Sequence, residues 1–171
     1  CENDPGESTI NVIVTSQVNG IGTFSGSGIV DPDGIFDPKE AEVGINTITY
    51  SYTDVNGCSD TETIDLTVLE TPTAAISADD LVLCSGESLT LNYTGTQGVD
   101  SYNWQNSEIS IESVPNPTIT FQFVGIKTVS LIVIKDGCIS EEVSIDIEVV
   151  NSPEATFTLS SDTICLSDEV Q

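Results

Sequence analysis

Five cysteines and one short acidic turn are the residues whose types and spacing could do chemistry. Cys1, Cys84 and Cys165 each open a unit, 83 and then 81 residues apart, and inside each complete unit a second cysteine follows a turn, in Asn56-Gly57-Cys58 and Asp136-Gly137-Cys138. Thiols that recur in this way suit structural disulfides. The expected pairs are Cys1–Cys58 and Cys84–Cys138, each closing a loop of similar size worth ~3–5 kcal/mol, with Cys165 left to pair beyond the fragment. Zinc ligation is set aside, because no two cysteines are close in sequence and there is no histidine. In Asp31-Pro32-Asp33-Gly34-Ile35-Phe36-Asp37, three carboxylates bent by Pro and Gly could offer oxygen ligands to a hard cation, calcium above all. The competing reading is a structural Pro/Gly turn, since no helix flanks it and no downstream bidentate glutamate follows. A second candidate clamp, Glu70 with Asp79 and Asp80, is not repeated, because its register partners are Ser160 and Ser161. Apart from calcium, no cofactor is expected.

Catalytic chemistry has little to work with. Carboxylate pairs can cleave glycosidic bonds, but 28 acidic residues create such pairs by chance everywhere. The usual imidazole base is absent, and with it the serine–histidine and cysteine–histidine pairs. Lys39, Lys127 and Lys135 could seed isopeptide links, a role the disulfides would already fill. The chain is expected not to be an enzyme.

The elements that must hold these residues are strands. A shift of 81 residues places Ile64 on Ile145, Asp65 on Asp146, Val68 on Val149 and Pro72 on Pro153, and Gly44-Ile45-Asn46-Thr47 is echoed by Gly125-Ile126-Lys127-Thr128. A fixed period of this kind means copies of one folded module. Val143, Ile145, Ile147 and Val149 alternate with polar residues at the period of a half-buried strand, as do Ile64, Leu66 and Val68. Further strands are expected at Thr9–Val14, Asn46–Tyr52, Ser88–Tyr93, Ser101–Gln105, Thr118–Phe123 and Thr128–Ile134. Asn56-Gly57 and Asp136-Gly137 supply the positive φ of tight hairpins. The expected fold is all-β: tandem immunoglobulin-like β-sandwich modules over 1–70 and 71–151, each with one disulfide, and the start of a third over 152–171. Trp104 is expected in the core against a cystine, with Phe24, Phe36, Tyr50 and Tyr52 filling the corresponding space of the first module.

The charge is lopsided: 28 acidic residues against three lysines, a formal net charge of −25. Nucleic acid is excluded as a partner, since phosphate binding needs clustered cations. Attraction to anionic membranes is disfavoured for the same reason. No apolar run of membrane-spanning length occurs, and paired cysteines imply an oxidising compartment outside the cytosol. The carboxylates serve solubility.

Gly22-Thr23-Phe24-Ser25-Gly26-Ser27-Gly28, Gly34-Ile35-Phe36-Asp37-Pro38 and Thr47-Ile48-Thr49-Tyr50 in the first unit resemble the PKD-like or immunoglobulin-like repeats of giant Bacteroidota surface proteins. Cys84-Ser85-Gly86-Glu87-Ser88, Tyr102-Asn103-Trp104 and Asp136-Gly137-Cys138 in the second are similar to the PKD-like variety, although Gln105-Asn106-Ser107 replaces its usual acidic, glycine-rich run. The resemblance implies an extracellular protein attached to the outer membrane and exported by type IX secretion, such as a gliding-motility adhesin of the SprB kind. Its modules would form a rod presenting adhesive regions, with neighbouring modules, other surface proteins or extracellular glycans as partners. A glycan- or protein-binding module, favoured if Tyr93 or Tyr102 forms an exposed patch, and the stalk of a secreted enzyme are the alternatives. Asn92-Tyr93-Thr94 and Asp162-Thr163-Ile164 match short glycosylation patterns.

Overall fold

A computed structural model of the protein describes residues 8–9, 19–109, 111 and 113–159. Cys1, Cys165, the Asp162 triplet and most of the strand expected at Thr9–Val14 lie outside them. The first unit contributes β1 (Ser8–Thr9), β2 (Gly20–Ser25), β3 (Ile29–Asp31), β4 (Ile35–Phe36), a 3-10 turn at Pro38–Glu40, β5 (Gly44–Asp54) and β6 (Ser59–Val68). The second contributes β7 (Ile76–Ala78), β8 (Val82–Cys84), β9 (Ser88–Tyr93), β10 (Ser101–Gln105), β11 (Thr118–Thr120), β12 (Gly125–Lys135), β13 (Cys138–Ile139) and β14 (Val143–Val150). Among the described residues there is no α-helix, and no helix is long and apolar enough to cross a membrane.

Strand pairing stays within each unit. The first holds sheets β1-β4-β3 and β2-β5-β6; the second holds β10-β12-β14-β8, with β13 also on β12, and β11-β9-β7. All pairs are antiparallel except β8 with β14, where Cys84 lies beside Val150. The two units share their hairpin: β5 pairs with β6 as β12 pairs with β14. They differ at Ser140. There the second hairpin is interrupted between β13 and β14, and the Ser140 hydroxyl stands in for backbone by accepting from Val133 N at 3.0 Å.

The period-two pattern decides which side chains meet. Val129, Leu131 and Val133 of β12 and Ile147 and Val149 of β14 face Leu89 and Leu91 of β9, Ile119 of β11, and Phe121. Each such buried side chain contributes about 1.5–3 kcal/mol. Trp104 lies in this core, 6% exposed, and its indole N–H donates to Val114 O at 2.8 Å. The core cluster contains no cysteine, so Trp104 does not pack on a cystine as expected. The strand expected at Thr118–Phe123 stops at Thr120. Phe121 still turns inward, while Phe123 is 74% exposed.

In the first unit the described core is Phe36, Ile48 and Val68, with Phe24, Ile29 and Ala41 packed against it. The Phe24 and Tyr50 rings pack at a tilt of 49°, 4.8 Å between centroids. Tyr50 also lies over Gly22, where any Cβ would strike its ring. This is an aromatic side chain covering a bare strand backbone. Of the aromatics expected to replace a tryptophan, Phe36 is the one fully buried.

Candidate functional site

The ends of each sandwich, where the chain enters and leaves, hold the cysteines and acidic turns. In the second unit the entering end is defined by β7, whose Ile76 pairs with Tyr93. The Tyr93 hydroxyl donates to Thr96 O at 2.7 Å and to Thr73 O at 3.2 Å, and Thr73 N donates to the Thr96 hydroxyl at 2.9 Å. The incoming segment is thereby tied to the sandwich. Burial pushes the Tyr93 hydroxyl pKa upward, with Tyr102 adding to the shift. Tyr93 and Tyr102 meet edge to face at 5.1 Å, both half-buried against the core. Asp100, Asp136 and Cys138 belong to this same end: Asp136 N donates to Asp100 Oδ2 at 2.7 Å, and Cys138 pairs with Lys135.

The leaving end lies across the length of β12. Gly125 pairs there with Val149, and Cys84 with Val150. Ser85 N donates to Val150 O at 2.9 Å, and the Ser152 hydroxyl donates to Ser85 O at 2.7 Å. Ten residue steps along β12 separate the two ends, about 33 Å of strand. A disulfide needs Cα atoms within roughly 7 Å.

The expected pair Cys84–Cys138 therefore does not form, and Cys84 carries a free thiol. The pair Cys1–Cys58 does not form either, since Cys58 is a free, exposed thiol in the hairpin that closes β5 on β6. Among the described residues no two cysteines are joined to each other. Cys138 is fully buried and disulfide-bonded. With Cys58 and Cys84 both free, its partner falls outside the described residues. Burial raises the Cys84 pKa, and the charge and hydrogen bonding of Glu87 raise it further, which keeps the thiol protonated. Glu87 Oε2 also accepts from Cys84 N at 2.9 Å.

The acidic turn behaves as a turn. Asp31 Oδ1 accepts from Asp33 N at 2.7 Å, and Asp37 Oδ1 accepts from Lys39 N at 2.9 Å, capping the 3-10 turn. Asp31, Asp33 and Asp37 are not brought together, nor are Glu70, Asp79 and Asp80. Among the described residues no three metal-ligating side chains converge. One carboxylate oxygen of Asp31 and one of Asp37 thus accept nearby backbone N–H groups, the usual habit of aspartate in turns. In the first hairpin Asp54 Oδ1 accepts from Asn56 N and Cys58 N, both at 2.8 Å. The Cys58 bond is the largest cause of a pKa lowered from 3.8.

Sequence reasoning missed one recurring device. In Gly44-Ile45-Asn46-Thr47 and Gly125-Ile126-Lys127-Thr128 the third residue points inward although it is polar: Asn46 is 3% and Lys127 7% exposed. Asn46 closes on its own hairpin, its amide donating to Glu42 O at 2.7 Å and Gly44 O at 3.1 Å. Lys127 reaches both oxygens of Glu108, at 2.7 and 2.8 Å. The fourth residue is matched too, Thr47 donating to Asp65 at 2.7 Å and Thr128 to Asp146 at 2.6 Å across the strands. A polar residue held at one register position in both copies was the available signal. Of the lysines considered for isopeptide links, Lys127 forms this ion pair and Lys39 is exposed.

These sheets define the class: an all-β chain of immunoglobulin-like sandwich architecture. No family model matches the chain, and no curated protein matches it in sequence. Among solved structures, it is similar to the full ectodomain (Ig1–Ig3) of mouse nectin-like molecule 4, at 16% identity over 82% of this chain and 58% of that one, with a TM-score of 0.41. It is also similar to the S-layer protein rSbsC, at 18% identity over 81% of this chain and 21% of that one, with a TM-score of 0.36. The chain thus spans less than two thirds of the length of either protein.

Proposed function

We propose that this chain is a structural segment of a large secreted cell-surface adhesin of the giant Bacteroidota kind, exported by type IX secretion and serving in gliding motility. Its modules form a non-catalytic, extended rod that holds adhesive regions away from the cell. The observation that carries this reading is the passage of the chain through the second unit. It enters at the Tyr93 end and leaves at the Cys84 end, about 33 Å away along β12, so copies in series extend rather than fold back. The Tyr93–Thr73–Thr96 bonds support a stiff joint. The net charge of −25 opposes side-by-side packing of neighbouring units. Half-buried Tyr93 and Tyr102, packed on each other, favour a spacer over a binding face.

Small-angle scattering tests the rod. Two sandwiches end to end give a length of about 80 Å and a radius of gyration of roughly 24 Å. A single compact body of this size gives about 16 Å. A value near the lower figure, unchanged by added salt, overturns the proposal.

A further inference from the structure

We infer that the outer edge of β6 is a docking site for a basic, extended peptide strand, which adds in parallel to the sheet β2-β5-β6. β6 lies last in its sheet, and among the described residues no strand pairs with its outer edge. At the closed end of the hairpin Asp54 N donates to Cys58 O. The alternation of an antiparallel ladder then turns the even-numbered residues of β6 toward β5 and the backbone groups of Thr61, Thr63, Asp65 and Thr67 outward. Thr61 bears the mark of this, since its N–H is met by the neighbouring Asp60 Oδ1 at 2.9 Å.

The second unit shows what such an edge takes. β14 holds the place of β6, and its outer edge carries β8 in parallel, with Glu148 N donating to Leu81 O at 2.8 Å and Ser85 N to Val150 O at 2.9 Å. Leu83 of that added strand lies beside Val149 and joins the core. The side chains differ in step with the edges. Ile147 is 0% exposed, whereas Leu66, its counterpart 81 residues earlier, is 38% exposed and Ile64 is 63% exposed. Both lie on the core-facing side of β6, opposite Asn46 and Ile48.

Charge selects the occupant. Asp60 and Glu62 continue the face of Ile64 and Leu66, all four are exposed, and β6 carries no cation. A second copy of this chain would lay carboxylates against carboxylates, with a net charge of −25 on each. The strand that fits has lysine or arginine beside Asp60 and Glu62, apolar residues beside Ile64 and Leu66, and small polar residues between them. Main-chain bonds then supply affinity, and the alternate side chains supply specificity. This docking goes beyond the proposed rod: a rod forms with or without it, and scattering and peptide binding fail separately.

The test titrates the whole chain, isotope-labelled for amide NMR, with the peptide Lys-Thr-Lys-Thr-Val-Thr-Leu. The expected result is saturable binding, with resonance shifts centred on Thr63, Asp65 and Thr67 and hydrogen exchange at those amides slowed about tenfold or more. Two control peptides separate strand addition from mere charge attraction. One has the same composition in the order Thr-Lys-Lys-Thr-Val-Leu-Thr, so that its apolar residues cannot both face the core. The other is N-methylated at its second lysine and its valine, the positions that bond β6 on the pattern of β8. Each should bind at least about tenfold more weakly. Glu62→Lys should weaken the first peptide by a similar factor. No saturation at millimolar peptide, equal binding of either control, unchanged affinity in Glu62→Lys, or shifts centred outside β5 and β6 overturns the inference.

Discussion

The buried ion pair of the second unit makes an asymmetric prediction. Lys127 is 7% exposed and Glu108 is 41% exposed, so the two partners stand differently toward water. Glu108→Gln leaves an ammonium inside the sandwich with a neutral amide in place of a carboxylate. Uncompensated buried charges cost about 3–5 kcal/mol, and the one acceptor an amide retains reduces this to roughly 2–4 kcal/mol. Lys127→Met removes the buried charge, keeps the length of the stem and leaves Glu108 free to hydrate, at a cost of about 1 kcal/mol or less. The backbone of Glu108 stays in place in both variants, because Asn106 Oδ1 accepts from Glu108 N at 2.8 Å and Ile109 N at 3.2 Å. Trp104 is the chain's one tryptophan and belongs to this core, so its fluorescence reports the second unit alone. For a domain of this size each kcal/mol moves the melting temperature by ~4–8 °C. Glu108→Gln should therefore lower the Trp104 transition by roughly 8–32 °C and Lys127→Met by under about 8 °C. A larger loss for Lys127→Met than for Glu108→Gln refutes the reasoning.

Glycine substitutions should separate steric from torsional cost in the first unit. At Gly28, φ is +85° and a Cβ would lie 2.5 Å from the Phe36 ring and 2.8 Å from Ala41 Cβ, whereas at Gly57, φ is +84° with nothing within 4 Å. Calorimetry should show Gly57→Ala costing ~1–2 kcal/mol and Gly28→Ala ~2–5 kcal/mol, overpacking added; equal losses would contradict the packing described. Asp54 predicts an acid response. Its folded pKa is depressed below 3.8 by the Cys58 and Asn56 bonds, so the carboxylate supports the hairpin fully above that value and ceases to as pH falls through the folded pKa. The amide resonances of Asn56 and Cys58 should shift together below about pH 4, and should be flat through the same range in Asp54→Asn.

The long hairpins were legible because alternation over β12 and β14 leaves one register that buries Val129, Leu131, Ile147 and Val149. The turns at Asn56-Gly57 and Asp136-Gly137 were legible for the same local reason; Asp136 does take a positive φ, 51°. The cysteine pairing was not. Spacing along the chain says which residues recur, but the ends of a sheet at which they recur depend on strand length and on the parallel β8–β14 contact, neither of which has a local signature. Lys127 was hidden for a related reason: a charge in an inward position reads as a break in the pattern unless its partner, here Glu108 on a distant loop, is known. The acidic turn was legible only as a turn, because Asp31 and Asp37 carry the same oxygens whether they serve a cation or their own backbone.

Placing Lys127 inside the sandwich also changes what a hydrolase can find. The chain has three lysines and no arginine, and one of the three is sealed by its bond to Glu108. Enzymes that cleave after basic residues are left with Lys39, beside a proline in the 3-10 turn, and Lys135, at the end of a paired strand. A folded molecule of this kind offers few sites to trypsin-like digestion, and each further copy built to the second unit's pattern would add one, the counterpart of Lys135.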